Sequence, residues 1–250
     1  MNSKTSRRNF LKSTSLISTS LIVGFKFNSP NLIIAKETSE LDPNLYVIIS
    51  PNNTITFKLP NIELGQGTHT GQAIIIAEEL EVNLDKVNVI NAPPDPRYGR
   101  LNTGGSASIR NNFKKLLKIG ATTKEILLKA ASNKWNVPVD ECFASNGTVI
   151  HSKSNRSLTF GELANKATKL EIPSNPKLKN NKEYRLIGKS INRIDISEKV
   201  NGTSIYGMDV RIPGMLQAVV KQSLVRGGSL FKYNEKEALS VRGVKAVVPI

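Results

Sequence analysis

Residues 55–80 run from an alternating stretch, Ile55-Thr56-Phe57-Lys58-Leu59, through Leu64-Gly65-Gln66-Gly67-Thr68-His69-Thr70-Gly71, into the apolar-rich segment Ala73 to Leu80. That order predicts strand, glycine loop and helix in direct succession. Two glycines flanking one carboxamide let the backbone pass close to a ligand, because no Cβ shields the peptide N–H groups. The loop ends at a helix start, where unpaired N–H groups and the peptide dipoles favour an anion. Thr103-Gly104-Gly105-Ser106-Ala107-Ser108 repeats the arrangement ahead of a second helical segment. Two such loops can converge on one ligand, although glycine beside serine or threonine before a helix is also ordinary turn and N-cap chemistry.

The rest of the chain predicts an α+β protein. Residues 45–49 and 55–59, parted by Ser50-Pro51-Asn52-Asn53, read as a hairpin. The first helix spans about 71–80, and Val87, Val89 and Ile90 form a strand stopped by the prolines at 93, 94 and 96. Residues 109–135 are the longest helical segment, with Gly120 consistent with a kink or with two helices in sequence. Arg110, Lys114, Lys115, Lys118, Lys124, Lys129 and Lys134 make its exposed face. No aromatics interleave with that stripe to stack bases, so a solvated face is favoured over a nucleic-acid surface. Residues 138–142 read as one helical turn and Asn146-Gly147 as a hairpin turn. Thr159 and Glu162 fit a capping box for a helix to about residue 170. Residues 173–183, rich in Pro, Asn and Lys, read as a linker and domain boundary. Beyond it come strand-like runs at 205–210, 216–220 and 244–248 and a helix near 235–239.

The N-terminus has the layout of a twin-arginine export signal: Ser6-Arg7-Arg8-Asn9-Phe10-Leu11-Lys12, then a weakly apolar run through Leu16, Ile17, Leu21, Ile22 and Val23. Export to the periplasm follows, with residues 1–35 as the signal segment and Ala35 as a possible end. The run is far short of the ~20 apolar residues that cross a bilayer, so no stable membrane span is expected. The net charge of +15 includes Lys4, Arg7, Arg8, Lys12 and Lys26; 15 less 5 leaves about +10 beyond the leader. The single cysteine, Cys142, precludes an internal disulfide and an iron–sulfur cluster held by this chain, and reads as a small buried apolar residue, with a bond to a partner chain as the alternative.

The motifs of zinc, serine-hydrolase, Walker and Rossmann chemistry are absent. Of the two histidines, His69 is read as holding the first loop ahead of donating to a phosphate, and His151 as a surface residue. Gln66, Ser106 and Ser108 are neutral donors and acceptors, suited to holding a polar cofactor and unsuited to proton transfer alone. The residues therefore describe the holder of a reactive group, with no catalytic residue and no metal ligand of its own. Rival readings are a non-catalytic periplasmic module that captures small anions at the two helix starts, and nucleic-acid binding through the lysine stripe, which export disfavours.

In order along the chain, the leader, GQGTHTG, AEEL, TGGSASIR, Trp135-x-Val137-Pro138, Tyr184 to Ser190, Arg193-Ile194-Asp195, Lys199 to Thr203, Tyr206 to Val210 and Pro213 to Leu216 resemble isoquinoline-oxidoreductase-type large subunits. These belong to the xanthine dehydrogenase and aldehyde oxidase group of molybdenum hydroxylases. The resemblance implies a molybdopterin-binding domain over residues 36–180 and the start of an α/β hammerhead domain over 185–250. It implies contacts to molybdopterin, in its cytosine dinucleotide form and carrying molybdenum, from Leu64, Gly65, Gln66 and Gly67 and from Gly105, Ser106, Ala107 and Ser108. The implied partners are a small iron–sulfur subunit and a small aromatic heterocycle or aldehyde as substrate. Large subunits of this group run to several hundred residues, with the catalytic glutamate far beyond residue 250. The chain therefore reads as an N-terminal portion, expected to be inactive alone.

Overall fold

A computed structural model describes residues 21–23, 46–95, 98 and 101–250. They fall into two compact units, one through Thr203 and one from Ser204 to Ile250. The paired arginines and Ala35 of the expected export signal lie outside the described residues.

The first unit is α+β. Strands β1 (Leu21–Val23), β2 (Val47–Ile49), β3 (Ile55–Leu59) and β4 (Val87–Asn91) form one sheet in that order. The first three are antiparallel neighbours and β4 lies parallel to β3. A parallel neighbour demands a crossover, and helix α1 (Thr68–Leu80) supplies it. Ile55, Phe57 and Leu59 bury one face of β3 while Thr56 and Lys58 stay half-exposed, the period-2 pattern read from the sequence. One strand was not foreseen. Leu21–Val23, taken above as part of the leader's apolar run, pairs with β2 in the register Leu21↔Ile49, Ile22↔Ile48 and Val23↔Val47.

Helix α2 (Ser108–Trp135) runs unbroken. Gly120 neither kinks nor divides it; it marks the crossing of α1. A Cβ at Gly120 would stand 2.5 Å from the Ile76 carbonyl oxygen and 2.8 Å from Glu79 Cβ. The glycine is there so that two backbones can approach, and α1 and α2 bury Ala73, Ile76, Ala77, Leu116, Ile119 and Leu127 around that contact.

A second, antiparallel sheet contains β5 (Cys142–Ser145), β6 (Thr148–His151) and β7 (Ser157–Thr159). The Asn-Gly turn between β5 and β6 has φ 46° at Asn146 and 82° at Gly147, as a two-residue hairpin requires. Helix α3 (Phe160–Ala167) carries the expected capping box between Thr159 and Glu162, and ends a few residues before 170. Asn53 joins the two sheets: its Oδ1 accepts from Gly161 N–H (2.9 Å) and its Nδ2 donates to the Gly147 carbonyl (3.4 Å). Cys142 is free and buried, and burial pushes its thiol up.

The expectation for His151 is overturned. His151 is not a surface residue; it is 4 % exposed. Its Nε2 lies 2.9 Å from Glu141 Oε2, its Nδ1 2.7 Å from Ser154 Oγ, and the Trp135 ring sits 6.1 Å away. The inward register of β6 and the end of α2 cover it, and neither could be read from hairpin position alone. Residues 173–183, read from composition as a linker and domain boundary, are held against α1. Glu79 accepts from Lys179 N–H (3.1 Å), and Glu78 and Glu81 both pair with Lys179 Nζ at 2.7 and 2.6 Å. The buried Glu78 carboxylate also accepts the backbone N–H groups of Arg185, Leu186 and Ile187. Composition showed a polar segment and could not show three acidic partners waiting on a helix and its C-cap.

The second unit contains one 3-10 turn (Gly207–Asp209) and helix α5 (Glu235–Ser240), with Asn234 as its N-cap; helix α4 (Ile196–Val200) belongs to the first unit. The strands expected at 205–210, 216–220 and 244–248 are not formed. Isolated strands leave their main-chain groups unpaired, and within this unit no ladder closes on them. Val219, Leu224 and Phe231 stand almost fully in solvent. Among the described residues no helix is long and apolar enough to cross a membrane.

Candidate functional site

The two glycine loops open side by side, because each lies at the start of one of the two crossed helices. Thr103 Oγ1 donates to the Ile62 carbonyl (2.9 Å) and Asn61 Nδ2 to the Asn102 carbonyl (3.0 Å). Gln72 Nε2 donates to the Ser108 carbonyl (3.1 Å) and to Asn61 Oδ1 (2.8 Å), where Asn112 Nδ2 also donates (3.0 Å). The flanks of both loops are thus stitched by one amide network. Leu64, Gly65, Gln66, Gly105 and Ser106 are exposed, whereas Gly67, Ala107 and Ser108 are half-exposed.

The first loop is organised from within. The Glu63 carboxylate accepts from Gly65 N–H and Gly67 N–H, both at 2.8 Å, and from His69 N–H at 3.0 Å. Burial raises the Glu63 pKa, but those three amides and Arg193 outweigh it and hold the carboxyl below its usual range. These N–H groups, expected to face an incoming anion, are engaged by the chain's own carboxylate. Gln66 turns inward as well: its Oε1 accepts from Leu64 N–H (2.6 Å) and its Nε2 donates to the Ile62 carbonyl (3.1 Å) and to Thr68 Oγ1 (2.9 Å). His69 Nε2 lies 2.9 Å from Asn91 Oδ1, which ties the loop to the end of β4 and agrees with a loop-holding role.

The second loop is more open. Helix α2 begins at Ser108 with Ala107 as N-cap, no side-chain cap and no acid in its first turn. Its N-terminal dipole and amides are therefore the ones left facing outward. Gly105 (φ 61°) and Ser106 (φ 51°) take the left-handed conformation that turns the chain into the helix. Gly104 has no such conformational need, and a Cβ there would meet nothing within 4 Å. The same empty space surrounds Gly65, Gly67 and Gly105.

Beside this loop lies a cleft of about 250 Å³ formed by Asn61, Tyr98, Asn102, Gly104, Ala107, Asn111, Asn112 and Lys115. Lys115 departs from the solvated stripe to which periodicity assigned it. It is half-buried, with Nζ 4.6 Å from the centre of the Tyr46 ring and 3.3 Å from the Tyr98 carbonyl, and burial lowers its pKa to about 8. Arg110, Lys114, Lys118, Lys129 and Lys134 remain exposed. Sequence reasoning missed Glu63, the four asparagines, Lys115 and the Arg193 contact to the first loop. The asparagines at 111 and 112 were the available signal: poor helix formers placed in the first turns of a long helix.

This donor set suits a polar, anionic ligand. It offers neutral amides, a cation, an uncapped helix start and glycines with vacant Cβ positions. Among the described residues, the fully buried Gln72 Oε1 has no hydrogen-bond partner. Among the described residues no three His, Cys, Asp or Glu side chains converge as a metal site.

Residues 4–211 match a family model described as a molybdopterin cofactor-binding domain. The chain is 31% identical over 292 aligned positions to the beta subunit of isoquinoline 1-oxidoreductase from Brevundimonas diminuta, covering 98% of this chain and 37% of that protein. It is 30% identical over 252 positions to the membrane-bound aldehyde dehydrogenase (pyrroloquinoline-quinone) of Gluconacetobacter polyoxogenes, covering 95% and 32%. With a subunit of nicotinate dehydrogenase from Pseudomonas putida it shares 30% identity over 226 positions, covering 87% and 19%. The chain thus spans about a third of the first two relatives and a fifth of the third.

Proposed function

The chain belongs to the molybdopterin cofactor-binding domain family, and we propose that its two glycine loops and the asparagine cleft beside them hold one end of a molybdopterin cytosine dinucleotide. The enzyme it serves hydroxylates a ring carbon next to nitrogen in a heteroaromatic substrate, or oxidises an aldehyde. The named activities of the three relatives, on isoquinoline, aldehydes and nicotinate, support that substrate range. Bound molybdenum supplies a two-electron oxidation in which water provides the oxygen. The residues of this chain bind and orient. The open start of α2 faces phosphate charge, Asn61, Asn102, Asn111 and Asn112 offer hydrogen bonds to polar edges, and Gly104 and Gly105 leave room for close approach.

Two relatives are named as subunits, which supports a partner chain; in this reading a small iron–sulfur protein accepts the electrons. The twin-arginine pattern supports export to the periplasm, and the residues from about 185 onward are read as the start of a hammerhead domain. Capture of small anions at both helix starts is the weaker reading, because Glu63 already occupies the amides of the first loop.

The observation that supports cofactor binding most directly is the cleft beside Gly104, which Asn61, Asn102, Asn111, Asn112 and Lys115 line with polar groups. In the full-length protein, Gly104→Leu fills that space without touching the core. Molybdenum content, measured by elemental mass spectrometry, is expected to fall at least several-fold while the melting temperature holds. Unchanged occupancy would refute the assignment.

A further inference from the structure

Residues 193–199 clasp the first loop from more than a hundred positions away in sequence. Arg193 Nη1 donates to the Gly65 carbonyl at 2.6 Å, and its Nη2 reaches Glu63 Oε1 at 3.4 Å. The guanidinium is itself oriented by Asp195, which accepts from Nε at 2.9 Å and from Nη2 at 2.7 Å. That fork against fork is the geometry in which arginine cannot be replaced by a point charge. Lys199 Nζ lies 2.8 Å from the same Asp195 carboxylate, and Ile194 N–H donates to Thr70 Oγ1 in the first turn of α1 at 3.2 Å. The Arg193 pair holds the Asp195 carboxyl well below the usual range, with Lys199 adding to the effect.

The charges alternate along this chain of contacts: Glu63, Arg193, Asp195, Lys199. Glu63 fixes the loop through three amides but brings a negative charge to a place meant for an anionic guest. Arg193 offsets that charge at the point where it would repel. It also grips the Gly65 carbonyl, so the left-handed turn at Gly65 (φ 103°) is held from both sides, its N–H by Glu63 and its C=O by Arg193.

We propose that Arg193 is a positioning residue for cofactor loading, holding the 63–67 loop in shape and cancelling the Glu63 charge, with Asp195 aiming the guanidinium. The proposal rests on the cofactor reading above. Its test uses the full-length protein carrying Arg193→Ala, Arg193→Lys, Glu63→Gln and the double variant Glu63→Gln/Arg193→Ala. Each is measured for amide hydrogen exchange over residues 62–70, for molybdenum content, and for activity per bound molybdenum.

Arg193→Ala is expected to raise exchange in the loop and to lower molybdenum content, each by roughly tenfold, the scale of a charge-assisted hydrogen bond. Activity per bound molybdenum stays unchanged, because Arg193 acts through the loop. Arg193→Lys keeps the charge but loses the fork, and rescues occupancy only in part. The double variant loses less than the product of the two single losses, because both substitutions break one contact. Unchanged loop exchange in Arg193→Ala overturns the clasp. Full occupancy in Arg193→Ala, where Gly104→Leu has lost its metal, overturns the loading role and leaves the cofactor reading intact. Full occupancy in both variants defeats the cofactor reading itself.

Discussion

Gly120→Ala separates what a helix propensity scale predicts from what this fold predicts. In an exposed helix interior the change stabilises, since alanine is better than glycine by about 1 kcal/mol. Here the new methyl would lie 2.5 Å from the Ile76 carbonyl oxygen and 2.8 Å from Glu79 Cβ. Backbone cannot swing aside as a side chain does, so α1 and α2 must separate. Overpacking of this kind costs typically 1–3 kcal/mol, and contact with a carbonyl puts it at the upper end, about 3 kcal/mol. Subtracting the propensity gain leaves a net loss of roughly 2 kcal/mol, or about 4–8 °C in melting temperature for a unit of this size. The same separation pulls the two loop-bearing helix starts apart, so molybdenum content falls together with stability. Circular dichroism melts of wild type and variant decide the matter. A melting temperature at or above wild type would refute the close crossing and the reason given for the glycine.

Replacing Glu78 by glutamine removes the charge that holds Lys179 and weakens the acceptor for three strap amides, at a cost of roughly 3 kcal/mol, read from urea unfolding at neutral pH. Burial raises the Glu78 pKa, but Lys179 and the amides of Leu186, Ile187 and Arg185 outweigh it, so the folded value lies below 4.5. The stability it contributes is present above pH 4.5 and disappears as the pH falls through the lowered folded value; the variant should show a flatter acid limb, and an unchanged limb would contradict the strap. Lys115 is depressed from 10.5 to about 8 by burial, so its contribution is present above 10.5 and lost as the pH falls through about 8. Lys115→Met should therefore be more stable than wild type at pH 7, with the difference shrinking toward pH 10, as thermal melts across that range will show. Asn61→Leu strips one of two acceptors from Gln72 Nε2 and from Asn112 Nδ2, which both keep the Ser108 carbonyl, and should cost roughly 2 kcal/mol for two lost hydrogen bonds, with increased hydrogen exchange at residues 102–108.

Local chemistry was legible where it acts locally. The alternation in β3, the Asn146-Gly147 turn, the Thr159–Glu162 capping box and the two glycine loops each declare themselves within a few residues, and the structure forms all of them. Partnership across distance was not legible. Nothing in the lysine spacing of α2 distinguishes Lys115 from Lys114, because the difference is made by Tyr46 and Tyr98. Glu78 reads as the polar face of an amphipathic helix until residues 179–187 arrive to fill it. Gly120 signals a break in one helix and serves as a seat for another. For the site, the small residues were found and their surroundings were not: Glu63 sits beside the motif, yet its role depends on a turn geometry that brings three amides onto one carboxylate.

A turn that carries its own counter-ion is a finished mould before any guest arrives. Fixing a flexible backbone costs about 1–2 kcal/mol per residue in lost entropy, and residues 63–69 meet that cost when the domain folds, through Glu63 and its three amides. Capture then selects by shape and charge, with little left to induce, and the empty protein should wait in the cell in a loading-ready form.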